Sequence, residues 1–169
     1  GMKQKLALSC ALIHKPDVLF LDEPTTGVDA VSRLEFWEML KRLKELGITI
    51  LVSTPYMDEA GLCDRVALIQ SGKIMKINTP EEVIADYPMN LISVRSNDIY
   101  KLLRDLENFS GTQSVYAFGQ NAHLSFIGND IQHESVKAYL VNLGHKEVMI
   151  EKIKPDIEDC FLELMTRNA

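Results

Sequence analysis

The sequence predicts an α/β fold: part of a parallel sheet with its helices, followed by a small α+β unit. Three observations carry this. The runs Val18-Leu19-Phe20-Leu21 and Ile48-Thr49-Ile50-Leu51-Val52 are apolar or β-branched throughout, as in strands buried within parallel sheets, and a helical pattern separates them. The first run stops at two carboxylates, Asp22 and Glu23, and then at Pro24, which has no backbone donor for a ladder. From about residue 90 the character changes, and short strands and helices follow in the order β-α-β-β-α-β. The change divides the chain into regions 1–88 and 89–169.

Composition sets the outer limits. The 169 residues suffice for one full domain or two small ones, and 46% hydrophobic with 25% charged residues is ordinary for a globular protein. A formal net charge of −6 argues against bulk nucleic-acid binding. No apolar run approaches the roughly 20 residues that span a bilayer. Cys10, Cys63 and Cys160 form no Cys-x-x-Cys pair, which fits a reducing cytosol better than a disulfide framework or a zinc site. His14, His123, His133 and His145 lack metal-ligand spacing and read as surface or capping histidines.

In chain order, 1–14 reads as a helix, with Met2, Leu6 and Ile13 available for packing and Pro16 as its stop. A helix at the first residue is expected where a chain starts inside a larger fold. After the strand ending at Asp22, Asp29 is placed to cap a helix over 30–46 that packs Val31, Leu34, Trp37, Leu40 and Leu43 inward and stops at Gly47. The second strand follows, then a short helix from Pro55 to Ala60. Residues 65–70 and 73–78 make a hairpin about Ser71-Gly72, and Thr79-Pro80-Glu81-Glu82 carries a helix-capping pattern. Beyond it, strands are expected near 91–95, 114–118, 122–127 and 147–153, with helices near 99–109 and 131–143 and a closing helix over 156–167. Ile99, Leu102, Leu103 and Leu106 share one face of the first of these helices. This is the split pattern of ferredoxin-like domains.

Asp22 and Glu23 hold the chemistry. Ligands of open α/β sheets bind beyond the carboxyl ends of the strands, and neighbouring side chains there point in different directions. One carboxylate can hold a hard cation such as Mg2+ while the other polarises water. An isolated acidic pair is also compatible with a solvated strand end or a helix cap. The longer string Leu21-Asp22-Glu23-Pro24-Thr25-Thr26-Gly27-Val28-Asp29 closely resembles the Walker B motif and D-loop of ATP-binding cassette (ABC) transporter ATPases.

That resemblance implies a partial P-loop NTPase sheet over 1–88 and, over 89–169, the C-terminal extension of bacterial ABC exporters, whose closing helix Ile157-Glu158-Asp159-Cys160-Phe161-Leu162 resembles. It implies ATP and Mg2+ as cofactors, with Asp22 orienting the metal and Glu23 positioning the attacking water. Gly1, Met2, Lys3 and Gln4 match the end of the Leu-Ser-Gly-Gly-x-x-Gln signature, where glycine amides and a helix start receive a γ-phosphate. Gly1 reads equally as an expression remnant before a start methionine. Gly1, Gln4 and Asp29 would face a second ATPase subunit, identical or different, and a separate transmembrane permease would complete an exporter. The implied location is the cytoplasmic face of the cell membrane, with no nucleic-acid partner.

Two departures from the family pattern qualify this reading. The family's switch histidine is replaced by Pro55, which has no donor for a γ-phosphate. Loss of one charge-stabilising donor often costs around 100-fold in rate, so weakened hydrolysis is expected unless another group supplies the contact. No Gly-x-x-x-x-Gly-Lys-Ser/Thr loop occurs in the 169 residues, so the chain by itself is expected not to turn over ATP. The competing readings are an ABC ATPase working off the membrane, on DNA or ribosomes, and a non-catalytic binding or dimerisation module. A half-domain would also leave apolar surface bare, which predicts self-association.

Overall fold

The computed structural model describes residues 2–126 and 133–167. Gly1, the end of the strand expected at 122–127 and the start of the helix expected at 131–143 lie outside the described residues. The chain forms two compact units, Gly1–Cys63 and Asp64–Ala169.

The first unit holds α1 (Met2–Leu12), β1 (Val18–Asp22), α2 (Ala30–Glu45), β2 (Thr49–Ser53) and α3 (Met57–Ala60). β1 and β2 pair in parallel, with Val18 opposite Thr49 and Asp22 opposite Ser53. A parallel pair needs a crossover, and α2 supplies it. Asp29 caps α2 by accepting the Ser32 N–H at 2.9 Å. Leu8, Leu19, Phe36 and Leu40 form the core, with Leu12, Trp37, Leu43, Ile50 and Val52 packed around it. Each such side chain contributes roughly 1.5–3 kcal/mol on burial.

The packing faces of the two long helices match the expected ones only in part. α1 buries Leu8, whereas Met2, Leu6 and Ile13 are exposed. α2 packs Trp37, Leu40 and Leu43 against the core as expected and adds Phe36, whereas Val31 and Leu34 are exposed. The reason is that α2 carries two apolar stripes. The Phe36-Leu40-Leu43 stripe, spaced i, i+4, i+7, meets the core, with Trp37 and Met39 packed beside it.

The second unit opens with the hairpin β3 (Val66–Gln70) and β4 (Lys73–Asn78). Its turn puts Ser71 and Gly72 at φ 49° and 73°, the left-handed pair that suits a tight hairpin. α4 (Pro80–Ala85) starts with a full capping box between Thr79 and Glu82. Next come β5 (Asn90–Arg95), α5 (Ile99–Glu107), β6 (Thr112–Phe118), β7 (Asn121–Phe126), α6 (His133–Asn142), β8 (Met149–Ile153) and α7 (Ile157–Arg167). The sheet order is β6-β7-β5-β8, antiparallel throughout. Ile92, Val94, Leu102, Leu106, Leu124, Val136 and Leu140 make its core. The sequence changes character near residue 89, but the hairpin and α4 group with this sheet. α4 contacts α7, and Lys76 on β4 pairs with Asp86 at 2.6 Å.

Candidate functional site

The parallel register brings the two strand ends together. The Ser53 hydroxyl donates to Asp22 Oδ1, and the Glu23 N–H donates to both Ser53 Oγ and Ser53 O at 3.0 Å. Asp22 and Glu23 are both exposed. Glu23 sits at φ 43°, in the left-handed region that non-glycine residues rarely enter. Strain of this kind costs on the order of 1–3 kcal/mol and concentrates at functional sites. The Thr26 hydroxyl donates to Glu23 Oε2 at 3.1 Å, which fixes the carboxylate from one side.

Behind this edge lies a buried carboxylate. Glu59 of α3 is 2% exposed, and its Oε2 accepts the hydroxyls of Thr25 at 3.0 Å and Thr54 at 2.6 Å. Arg33 places Nε 3.7 Å from Glu59 Oε1, donates from Nη2 to Asp58 Oδ2 at 2.6 Å and sets its guanidinium 4.6 Å from the centre of the Tyr56 ring. Pro55 is exposed, between Thr54 and Tyr56, so its ring adds no donor at the turn after β2. Asp29 is exposed, and the Ser32 backbone N–H holds its carboxyl below the usual range. Gln4 lies half-buried in the first turn of α1, and Gly1 lies outside the described residues.

Sequence reasoning missed Ser53, Thr25, Thr54 and Glu59. A signal for the first was present. Ser53-Thr54 ends the second apolar run as Asp22-Glu23 ends the first, and parallel pairing of the runs sets the two ends side by side.

The histidine reading needs correction in the second unit. The His145 side chain is fully buried, with Nδ1 3.0 Å from Ser96 Oγ and Nε2 2.9 Å from Asp105 Oδ2. His123 Nδ1 lies 2.8 Å from the buried Asp159, and its ring stacks on Phe118. Nothing in residue spacing marks these two; tertiary packing brings their carboxylates to them. With both ring nitrogens engaged, His145 ties the β5–α5 loop, α5 and the α6–β8 loop together. Around Asp159, burial pushes the Cys160 thiol up to about 12 and also raises Tyr87 and Asp156.

Among the described residues no group of three or more His, Cys, Asp or Glu side chains could hold a metal ion. Mg2+ does not require such a cage, since it keeps several waters and takes one or two carboxylates. An exposed Asp22 with a hydroxyl beside it fits that mode. No helix among the described residues is long and apolar enough to cross a membrane.

The fold and this edge define a mixed α/β protein whose parallel strand ends carry an oxygen-donor cluster suited to a hydrated cation. No family model matches the chain. Curated relatives do. The chain is 47% identical over 173 residues to the Nod factor export ATP-binding protein I of Sinorhizobium fredii (strain NBRC 101917 / NGR234), covering 99% of this chain and 47% of that protein. It is 51% identical over 85 residues to the probable multidrug ABC transporter ATP-binding protein YbhF of Escherichia coli (strain K12), covering 50% of this chain and 15% of that protein. It is 38% identical over 99 residues to the daunorubicin/doxorubicin resistance ATP-binding protein DrrA of Streptomyces peucetius, covering 58% of this chain and 30% of that protein. The chain is thus a homologue of ABC transporter ATP-binding proteins, and it spans about half or less of the length of these relatives.

Proposed function

We propose that the chain is the Walker B and D-loop portion of an ABC exporter's ATP-binding subunit, over 1–88, with its C-terminal extension over 89–169. The observation that carries this is the Asp22-Glu23 pair at the parallel strand end, held by Ser53 and strained at Glu23. Relatives named for Nod factor export, multidrug transport and drug resistance support the exporter reading. The sheet order β6-β7-β5-β8 with two crossing helices supports a ferredoxin-like extension.

In the intact subunit Asp22 orients Mg2+, which neutralises phosphate charge when bound. Glu23 aligns the attacking water and accepts its proton. Asp29 and Gln4 face a second ATPase subunit, and a permease at the cytoplasmic membrane face receives the motion. The phosphates need a glycine-rich loop that these 169 residues do not contain, so turnover belongs to the longer protein.

The test is ATPase activity of the full-length protein carrying this chain. Glu23→Gln removes the proton acceptor and is expected to lower kcat by about 100-fold or more while ATP still binds. Unchanged turnover overturns the assignment. A second reading has its own observation: Pro55 supplies no donor, which favours a subunit with one weakened site.

A further inference from the structure

The Glu59 carboxylate is the buried point at which the two loops of the candidate site meet. It accepts Thr25, two residues past Glu23, and Thr54, one residue before Pro55, on the same oxygen. Its other oxygen, Oε1, has no hydrogen-bond partner, and Arg33 Nε at 3.7 Å is too long to provide one. Thr54 Oγ1 in turn accepts the Tyr56 N–H at 3.1 Å, which carries the connection across Pro55.

A buried carboxylate whose side-chain hydrogen bonds come from two threonines, with Arg33 as an ion-pair neighbour, depends strongly on each of them. Withdrawing either threonine leaves the carboxylate poorly compensated, so the loop after β1 and the loop after β2 are favoured only in the arrangement that satisfies both. Thr25 itself is 1% exposed, and the Thr26 N–H bonds back to Glu23 O at 3.2 Å. The constraint therefore reaches the left-handed backbone of Glu23.

We propose that Glu59 is a positioning residue: through Thr25 and Thr54 it locks the Glu23 loop to the loop carrying Pro55, setting the Glu23 carboxylate for reaction. This rests on the ATPase reading above. Glu59 is buried behind the two threonines. It acts through the threonines, so its removal affects turnover more than nucleotide affinity.

The experiment uses the full-length protein, with kcat and KM for ATP measured at saturating Mg2+. Glu59→Leu, which removes the acceptor oxygen of both threonines, is expected to lower kcat by about tenfold or more with KM changed less than about threefold, the effect of a slightly displaced reacting group. Thr25→Val should reproduce the loss and Thr25→Ser, which keeps the hydroxyl, should restore most of it. Combining Thr25→Val with Glu59→Leu should cost little beyond Glu59→Leu alone, since both break the same link. If Glu59→Leu does not fold, the contrast between Thr25→Val and Thr25→Ser decides. Wild-type protein that hydrolyses no ATP overturns the ATPase reading and the positioning role with it. Active wild type whose Thr25→Val and Thr25→Ser variants turn over alike overturns the positioning role alone.

Discussion

Ser53, the last residue of β2, donates its hydroxyl to Asp22, the last residue of β1, and accepts the N–H of Glu23. One hydroxyl thus orients the proposed metal carboxylate and fixes the backbone of the proposed base. Both groups are exposed, so Ser53→Ala should cost the chain only about 1 kcal/mol or less in urea unfolding. The functional cost should be larger, because partners that orient a metal ligand typically account for about 10-fold or more in metal affinity. In the full-length protein, the Mg2+ concentration for half-maximal ATPase should rise by about that factor. An unchanged Mg2+ dependence would separate Ser53 from the metal.

Pro55 follows Thr54 at the position where the resembling family carries a phosphate-contacting histidine. If the missing donor limits hydrolysis, Pro55→His in the full-length protein should raise kcat by about tenfold or more, given what such donors contribute. The proline ring is exposed and Thr54 already anchors the turn to Glu59, so the substitution should leave the fold intact. Equal activity would show that another group makes the contact.

Asp29 gives the first unit a pH dependence of definite sign. The Ser32 N–H stabilises its charged form and lowers its pKa from the ordinary 3.8. The folded carboxyl therefore binds its proton less tightly than the unfolded one. Its contribution is fully present above the unfolded value and fades as pH falls through the lower folded value. Asp29→Asn keeps a capping oxygen without the charge. Between about pH 6 and about pH 3 the wild-type chain should lose more stability than this variant, read from urea midpoints. Parallel losses in the two proteins would remove Asp29 as the cause.

Much of this architecture is local and was therefore legible in the sequence. The apolar runs gave β1 and β2, Asp29 and Gly47 bounded α2, and Thr79 with Glu82 announced the capping box of α4. The Ile99, Leu102, Leu103 and Leu106 stripe gave the packed face of α5. What stayed hidden depends on partners distant in the chain. Glu59 looks like one more acidic residue of an exposed helix until Thr25 and Thr54 close on it. His145 looks like a loop histidine until Ser96 and Asp105 bracket it. The packing side of α2 was ambiguous for a different reason: two apolar stripes were present, and periodicity alone cannot choose between them.

One face of the parallel β1–β2 pair carries exposed apolar side chains. Phe20 and Leu51 are register partners on β1 and β2, so their side chains share one face of the parallel pair, and they are 74% and 61% exposed. Leu19, one residue away on the opposite face, is 5% exposed and belongs to the core. Strands of a parallel sheet are ordinarily covered on both faces, and here one face is bare. Covering a side chain of this size contributes roughly 1.5–3 kcal/mol, enough for two copies of the isolated chain to associate through several of them. The mass measured by light scattering should therefore rise with concentration. Phe20→Lys should move that rise to about tenfold higher concentration, since it removes one such contribution and adds a charge. A constant monomeric mass for the wild-type chain would mean that this face is satisfied without a second copy.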